Sequence, residues 1–250
     1  MENYNVLEET VTLPSLGNVY SPKINPNITL RSMNTLDEMK RLNSASKPYK
    51  AMCDMIDSCT TSKIELPAYE MCISDYQYLL HRLRVITYGS EYKMECTCPL
   101  CRRKFTAKMN LDELEVNTYD EEKIKRYSIF ELPVSKKTVE ITLQSPKLID
   151  EVADKAEASR KKGNVDKSMI YTLMAIITKI DGVSVNPADK ELFIQKLSMR
   201  DVNTIFQYSE KLNDAIGINS EVSVECEVCR YVYPTSFRIT SEFFRPTLDI

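Results

Sequence analysis

One short pattern occurs twice in this 250-residue chain, 128 positions apart: Cys98-Pro-Leu-Cys101-Arg102 and Cys226-Glu-Val-Cys229-Arg230. The likeness continues downstream, where large apolar residues follow both pairs at equal offsets: Phe105, Met109 and Leu111 in the first copy, and Tyr233, Phe237 and Ile239 in the second. Each copy therefore predicts a tight metal-binding turn followed by a β-strand.

A Cys-x-x-Cys turn lets two thiolates bind one metal ion from a single loop, and a tetrahedral structural zinc needs two such turns. The usual separation between the pairs is about 15 to 20 residues, and here it is far longer. Because closing a loop costs only about 0.6 kcal/mol more per doubling of its length, a folded insertion between the halves is acceptable. We therefore predict one structural zinc per chain, held by Cys98, Cys101, Cys226 and Cys229.

Two alternatives to this zinc site remain open at the level of sequence. In the first alternative, the cysteines are reduced thiols on two unrelated hairpins. In the second, they are the remnant of an ancestral site that has lost its metal. A fifth cysteine, Cys96, could also replace Cys98 as a ligand. A core-facing position in its strand is favoured for Cys96, because the matching position of the second copy is Val224.

Composition limits the class of protein. With 43% hydrophobic residues, a chain of this length can bury the core of one large domain or of two small ones. Eight cysteines without a secretory leader predict a reducing compartment, so we expect a cytoplasmic protein. No apolar run approaches the roughly 18 residues of a membrane span, and a net charge of -3 gives no overall attraction to nucleic acid or to an anionic bilayer.

The expected fold class is α+β, a mainly helical body with a small split β module that resembles a zinc ribbon built from two zinc knuckles. The prolines of the first thirty residues predict an extended arm, which lies on its own core or in a partner's groove. The predicted division is an extended N-terminal arm at 1–34, a helical segment at 35–85, the first zinc-knuckle hairpin with a linking strand region at 86–145, a helical lobe at 146–217, and the second zinc-knuckle hairpin with a C-terminal tail at 218–250.

Local signals place several helices. Thr35 and Glu38 fit a capping box that starts one helix, with Met39 and Leu42 marking its apolar face. Further helices are predicted at about 146–161, 166–180 and 187–215, the last broken near Ser198, which caps its second part.

Catalysis is not predicted. The chain has one histidine, His81, in an amphipathic stretch that favours a structural role, and a zinc with four thiolates has no open position for water. No small-molecule substrate is therefore expected. Nucleic-acid binding is the stronger competitor, because Arg102-Arg103-Lys104 follows the first knuckle, although acidic residues interleave with the other basic clusters.

Several segments together resemble a known family, and these are Leu13–Tyr20 (LPSLGNVY), Leu30–Thr35 (LRSMNT), Leu83–Gly89 (LRVITYG), the C-terminal cysteine pair and Phe243-Phe244-Arg245-Pro246. The chain resembles the baseplate hub proteins of T-even type tailed bacteriophages. Members of that family are hub subunits or hub assembly factors, and a chain of this length is most similar to those that catalyse hub assembly.

The resemblance implies a non-enzymatic, chaperone-like factor that binds baseplate hub proteins during virion morphogenesis, made late in infection and present in the host cytoplasm or in the tail baseplate. Catalysis would here mean presenting a partner in a competent conformation. One alternative is a structural hub subunit retained in the virion, and another is a zinc-knuckle protein that binds nucleic acid.

Apolar residues near both ends of the chain are the candidate partner contacts. We expect those of the arm to be exposed, with packing on their own domain as the alternative. The candidates are Leu13, Leu16, Val19, Tyr20, Phe243 and Phe244.

Overall fold

A computed structural model describes residues 6–42, 47–163, 165–237, 239 and 241–244, which contain eight α-helices and twelve β-strands. The helices are α1 Thr35–Leu42, α2 Pro48–Cys59, α3 Ile73–Tyr88, α4 Glu121–Ser128, α5 Pro146–Lys161, α6 Ser168–Ile176, α7 Pro187–Gln195 and α8 Met199–Asp214. The strands are β1 Glu8–Thr12, β2 Asn27–Arg31, β3 Glu91–Thr97, β4 Lys104–Asn110, β5 Val116–Asn117, β6 Ile129–Glu131, β7 Thr138–Ile141, β8 Ile177–Ile180, β9 Val183–Ser184, β10 Gly217–Ile218, β11 Glu221–Glu225 and β12 Val232–Ser236. The predicted α+β class is confirmed.

Every strand pairing in this part of the chain is antiparallel. Four sheets have two strands each, β1–β2, β3–β4, β5–β10 and β11–β12, and one sheet has four strands in the order β6-β7-β8-β9. No helix in the described part of the chain is both long and apolar enough to cross a membrane.

The arm folds back onto the first of two large cores, which α2 and α3 line. A buried carboxylate, that of Asp75 on α3, fixes it there. Ser15 donates to Asp75 through its backbone N–H (3.0 Å) and its hydroxyl (2.5 Å), and the Tyr20 hydroxyl donates at 2.6 Å. The arm therefore lies on its own core, the first of the two predicted alternatives.

Helix α1 reverses the predicted orientation of its faces. Met39 and Leu42 are 54% and 68% exposed, and neighbouring Leu36 is 67% exposed, whereas Asp37 is buried. The apolar face predicted at Met39 and Leu42 therefore points to solvent rather than into a core. The cause is an ion pair of 2.7 Å in which Arg31, on β2, draws Asp37 inward.

The cap of α1 also differs by one residue from the predicted capping box. The side-chain oxygen of Asn34 accepts hydrogen bonds from the backbone N–H groups of Leu36 (2.9 Å) and Asp37 (3.1 Å). Asp37 returns the interaction by accepting from the Asn34 N–H at 3.0 Å. Asn34 and Asp37 thus form the reciprocal pair that was assigned to Thr35 and Glu38.

A second core lies between the four-stranded sheet and helices α6, α7 and α8. The helix predicted at 166–180 ends at Ile176, and residues Ile177–Ile180 form β8 instead. The pairing of β8 with both β7 and β9 overrides the local helical pattern. The predicted break near Ser198 is confirmed, because its hydroxyl accepts from the Asp201 N–H at 3.1 Å and caps α8.

Candidate metal centre

The two Cys-x-x-Cys turns lie at the tips of two hairpins, β3–β4 and β11–β12. In the first, the Cys98 N–H donates to the carbonyl of Arg103 at 3.0 Å and the Arg102 N–H donates to the carbonyl of Cys98 at 2.9 Å. The second tip repeats both bonds, from Cys226 to Tyr231 at 3.0 Å and from Arg230 to Cys226 at 2.9 Å. The sequence repeat is therefore a structural repeat.

Both tips use the same uncommon backbone conformation. Arg102 and Arg230 have φ angles of 59° and 60°, in the left-handed region that glycine normally occupies. A side chain there costs on the order of 1 kcal/mol. Both tips nevertheless adopt this conformation, because it closes the loop that carries the two cysteines.

The two tips bring four sulfur atoms together. Cys98 Sγ lies 3.6 Å from Cys229 Sγ, and Cys101 Sγ lies 3.7 Å from Cys226 Sγ, so each contact joins one hairpin to the other. All four sulfurs lie within 4.8 Å of one another. Because metal–sulfur bonds of about 2.3 Å in a tetrahedron give sulfur–sulfur edges of about 3.8 Å, the cluster fits one structural metal ion.

These distances exclude disulfides, whose sulfurs are about 2.05 Å apart, and the cysteines are free thiols. Backbone N–H groups of Cys229 and Val228 point at the Cys226 sulfur and lower the pKa of that thiol to about 7. For Cys229, the backbone N–H of Tyr231 acts to lower the pKa. Burial and the neighbouring sulfurs act in the opposite direction and outweigh it, so the pKa of this thiol is raised to about 12. The N–H groups at the tip therefore favour the thiolate form of Cys226, the form that binds metal.

A small third core supports the cluster. Cys98 and Cys226 are fully buried, and Phe105 and Val224 pack beside them. The hydroxyl of Tyr233, the repeat equivalent of Phe105, donates to the Thr97 carbonyl at 3.3 Å and so joins the hairpins a second time. The sequence comparison treated this tyrosine only as an apolar repeat residue and missed its hydrogen bond.

Cys96 lies outside the four-sulfur cluster. It is buried in the third core, as is Val224 at the matching position of the second hairpin. The position agrees with the favoured core-facing orientation, and Cys98 is the residue that joins the cluster.

The candidate partner contacts are mostly interior, and the expectation that the arm residues are exposed was wrong for Leu13. Leu13, Phe243 and Phe244 are fully buried in the first core. The aromatic pair packs in a short helical turn at Ser241–Phe244, where the Phe243 ring lies 5.2 Å from that of Tyr92. These three side chains therefore stabilise the chain's own core and are not available at the surface.

The remaining arm candidates are partly buried: Leu16, Val19 and Tyr20. The Tyr20 hydroxyl already donates a hydrogen bond to Asp75, and burial raises the pKa of the Tyr20 phenol. The residues Arg245 and Pro246 of the tail motif lie outside the described residues.

The one histidine has the structural role that the sequence favoured. His81 is buried on α3 with its Nε2 atom 3.0 Å from the carbonyl oxygen of Leu111, and its Nδ1 atom has no partner among the described residues. Burial lowers its pKa to about 4. Asp75 was missed by sequence reasoning, because no local motif distinguishes a carboxylate that binds a segment sixty positions away.

Comparison with known proteins was made against family models, curated proteins and solved structures. A family model described as T4 bacteriophage base plate protein matches residues 7–245, which include both cysteine pairs. No curated protein and no solved structure matches the chain.

Proposed function

Because this chain belongs to the family of T4 bacteriophage base plate proteins, we propose that it is a non-enzymatic assembly factor that binds base plate hub proteins during virion morphogenesis. The family match supports a base plate role over nearly the whole chain, and it is the observation that carries the proposal. The two finer parts of the proposal, action at the hub and a chaperone-like role, rest on the sequence resemblance. The protein would act in the infected host cell.

Within this function, the four cysteines hold one structural zinc through Cys98, Cys101, Cys226 and Cys229. Four thiolates in a tetrahedral arrangement suit zinc or iron, and zinc fits a site that only joins two hairpins because it has no redox chemistry. The ion would connect hairpins β3–β4 and β11–β12, which are separated in sequence by the helical lobe. Its binding free energy would then be part of the folding free energy.

A binding role agrees with the chemistry of the described residues. A metal with four cysteine ligands has no open position at which to activate water. The His81 imidazole faces a backbone carbonyl inside the core, where it cannot reach a substrate. The protein would therefore act by holding other proteins.

Quantitative mass spectrometry of purified virions and of hub intermediates from infected cells tests this function. An assembly factor is expected in the intermediates and depleted from the virions. A fixed copy number in both would instead identify a structural hub subunit. Absence from every base plate intermediate would overturn the proposal.

A further inference from the structure

The two tips carry four exposed apolar residues. Leu100 and Val228 occupy equivalent positions in the two cysteine turns and are 65% and 53% exposed. Tyr231 and Val232, directly after the second turn, are 44% and 57% exposed. Single exposed apolar residues are ordinary, but four occur in or directly beside the two cysteine turns, and a concentration of exposed apolar residues is typical of an interaction site.

Equivalent positions of the two tips differ in chemistry. Where the second hairpin has Tyr231 and Val232, the first has Arg103 and Lys104, which are also exposed. We call Leu100, Arg103, Lys104, Val228, Tyr231 and Val232 the knuckle-tip surface. It has an apolar half and a basic half on one scaffold.

The basic half has no ion-pair partner among the described residues. By contrast, Arg230 in the second hairpin is paired with Glu225 at 3.0 Å. The positive charge of Arg103 and Lys104 is thus available to an outside group. Carboxylates are the complementary groups on a protein partner.

Direct contacts between the two hairpins support the surface. The sulfur contacts of 3.6 and 3.7 Å and the hydrogen bond from Tyr233 to Thr97 join the hairpins directly under the tips. A preorganised surface loses little conformational entropy on binding. These features suit recognition of another molecule better than a flexible loop would.

We propose that the knuckle-tip surface docks a segment of a base plate protein in which apolar side chains stand beside carboxylates. This inference rests on the proposed function and names the surface that carries it out. A nucleic acid fits less well, because the apolar half makes no favourable contact with phosphates.

The test uses the full-length chain and hub intermediates isolated from infected cells that lack it. One variant reverses the basic half, Arg103→Glu with Lys104→Glu, and a second removes apolar groups, Leu100→Ser with Val228→Ser. The matched control, Lys196→Glu with Arg200→Glu, makes the same charge change at two exposed positions, one directly after α7 and one in the first turn of α8. Melting temperature and metal content identify any variant that misfolds.

Binding is measured at about 50 and 300 mM salt, where charge screening differs strongly. We expect charge reversal to weaken binding at low salt by about tenfold or more and to reduce its salt dependence. The apolar variant should bind more weakly at both salt concentrations, and the control should match the wild type. Wild-type affinity in both tip variants would overturn the inference while leaving the proposed function intact.

Two other results are distinguishable from that one. If the wild-type chain itself fails to bind hub intermediates, the proposed function falls, and the inference falls with it. A single-stranded DNA oligonucleotide serves as the second probe. If charge reversal abolishes DNA binding and leaves hub binding unchanged, the surface is a nucleic-acid site and the inference is wrong.

Discussion

Acid should destabilise this protein through His81, a group that stays neutral in the folded state. Burial lowers its pKa from an ordinary 6.5 to about 4, and its Nδ1 atom is buried without a partner in the described part of the chain. Protonation of the ring inside the core would place a charge beside Arg82 and Arg84, which also act to lower the pKa. The unfolded chain accepts the proton near pH 6.5 at no such cost.

The sign of the effect follows from proton binding. Between the two pKa values the unfolded state binds more protons than the folded state, so stability falls as the pH decreases from 6.5 toward 4. The full gap corresponds to about 3 kcal/mol, since one pKa unit is about 1.36 kcal/mol. Between about pH 7.5 and pH 5 the expected loss is about 2 kcal/mol.

The assay compares the wild type with His81→Gln, which retains an N–H donor for the Leu111 carbonyl but does not titrate. Urea unfolding of both proteins at the two pH values gives the difference in their pH dependence. Protonation of cysteines and carboxylates is common to both proteins and cancels. The variant should lose about 2 kcal/mol less than the wild type on acidification.

A second measurement does not depend on the variant's folding. The chain has one histidine, so its ring C–H resonance can be followed by NMR without assignment. We expect that resonance to stay in its neutral position down to about pH 5 in the folded protein. Titration near pH 6.5, or equal pH dependence in the two proteins, would refute the reasoning.

Other substitutions test the packing of the arm and tail. Asp75→Asn should cost about 1 to 3 kcal/mol in urea unfolding, because the asparagine NH2 group accepts no hydrogen bond and would leave buried donors of Ser15 or Tyr20 without an acceptor; unchanged stability would contradict this. Gly17→Ala should lower the melting temperature, because its φ is 70° and the new Cβ would collide with the carbonyl oxygen of Ile24, whereas Gly163→Ala, at φ 75° in open space, should lower it less. Phe243→Ala should cost about 3 to 5 kcal/mol as a core truncation; a loss of partner binding with full stability would contradict its interior position.

The four-sulfur cluster could be predicted from sequence because each half is a local motif. A Cys-x-x-Cys turn positions two thiols within one loop, and the repeat of Phe105 by Tyr233 indicated two equivalent hairpins. The way in which the hairpins meet could not be predicted in the same way. The contacts that join Cys98 to Cys229 and Cys101 to Cys226 depend on how the inserted lobe folds between them.

The errors arose where distant contacts outweighed local pattern. In α1, the spacing of Met39 and Leu42 indicated an apolar face, but the pairing of Asp37 with Arg31 turned that face to solvent. Leu13 of the arm was expected to be exposed, whereas the first core buries it. In both cases the deciding partner lies on another element, and single-sequence reasoning has no access to it.

Metal content per chain tests the central claim most directly. The protein is purified under reducing conditions as wild type, as Cys229→Ser and as Cys96→Ser, which removes a buried thiol outside the cluster. We predict about one zinc per chain in the wild type and in Cys96→Ser, and loss of zinc with a lower melting temperature in Cys229→Ser. Full metal retention in Cys229→Ser, or a stable wild-type protein without metal, would contradict the account.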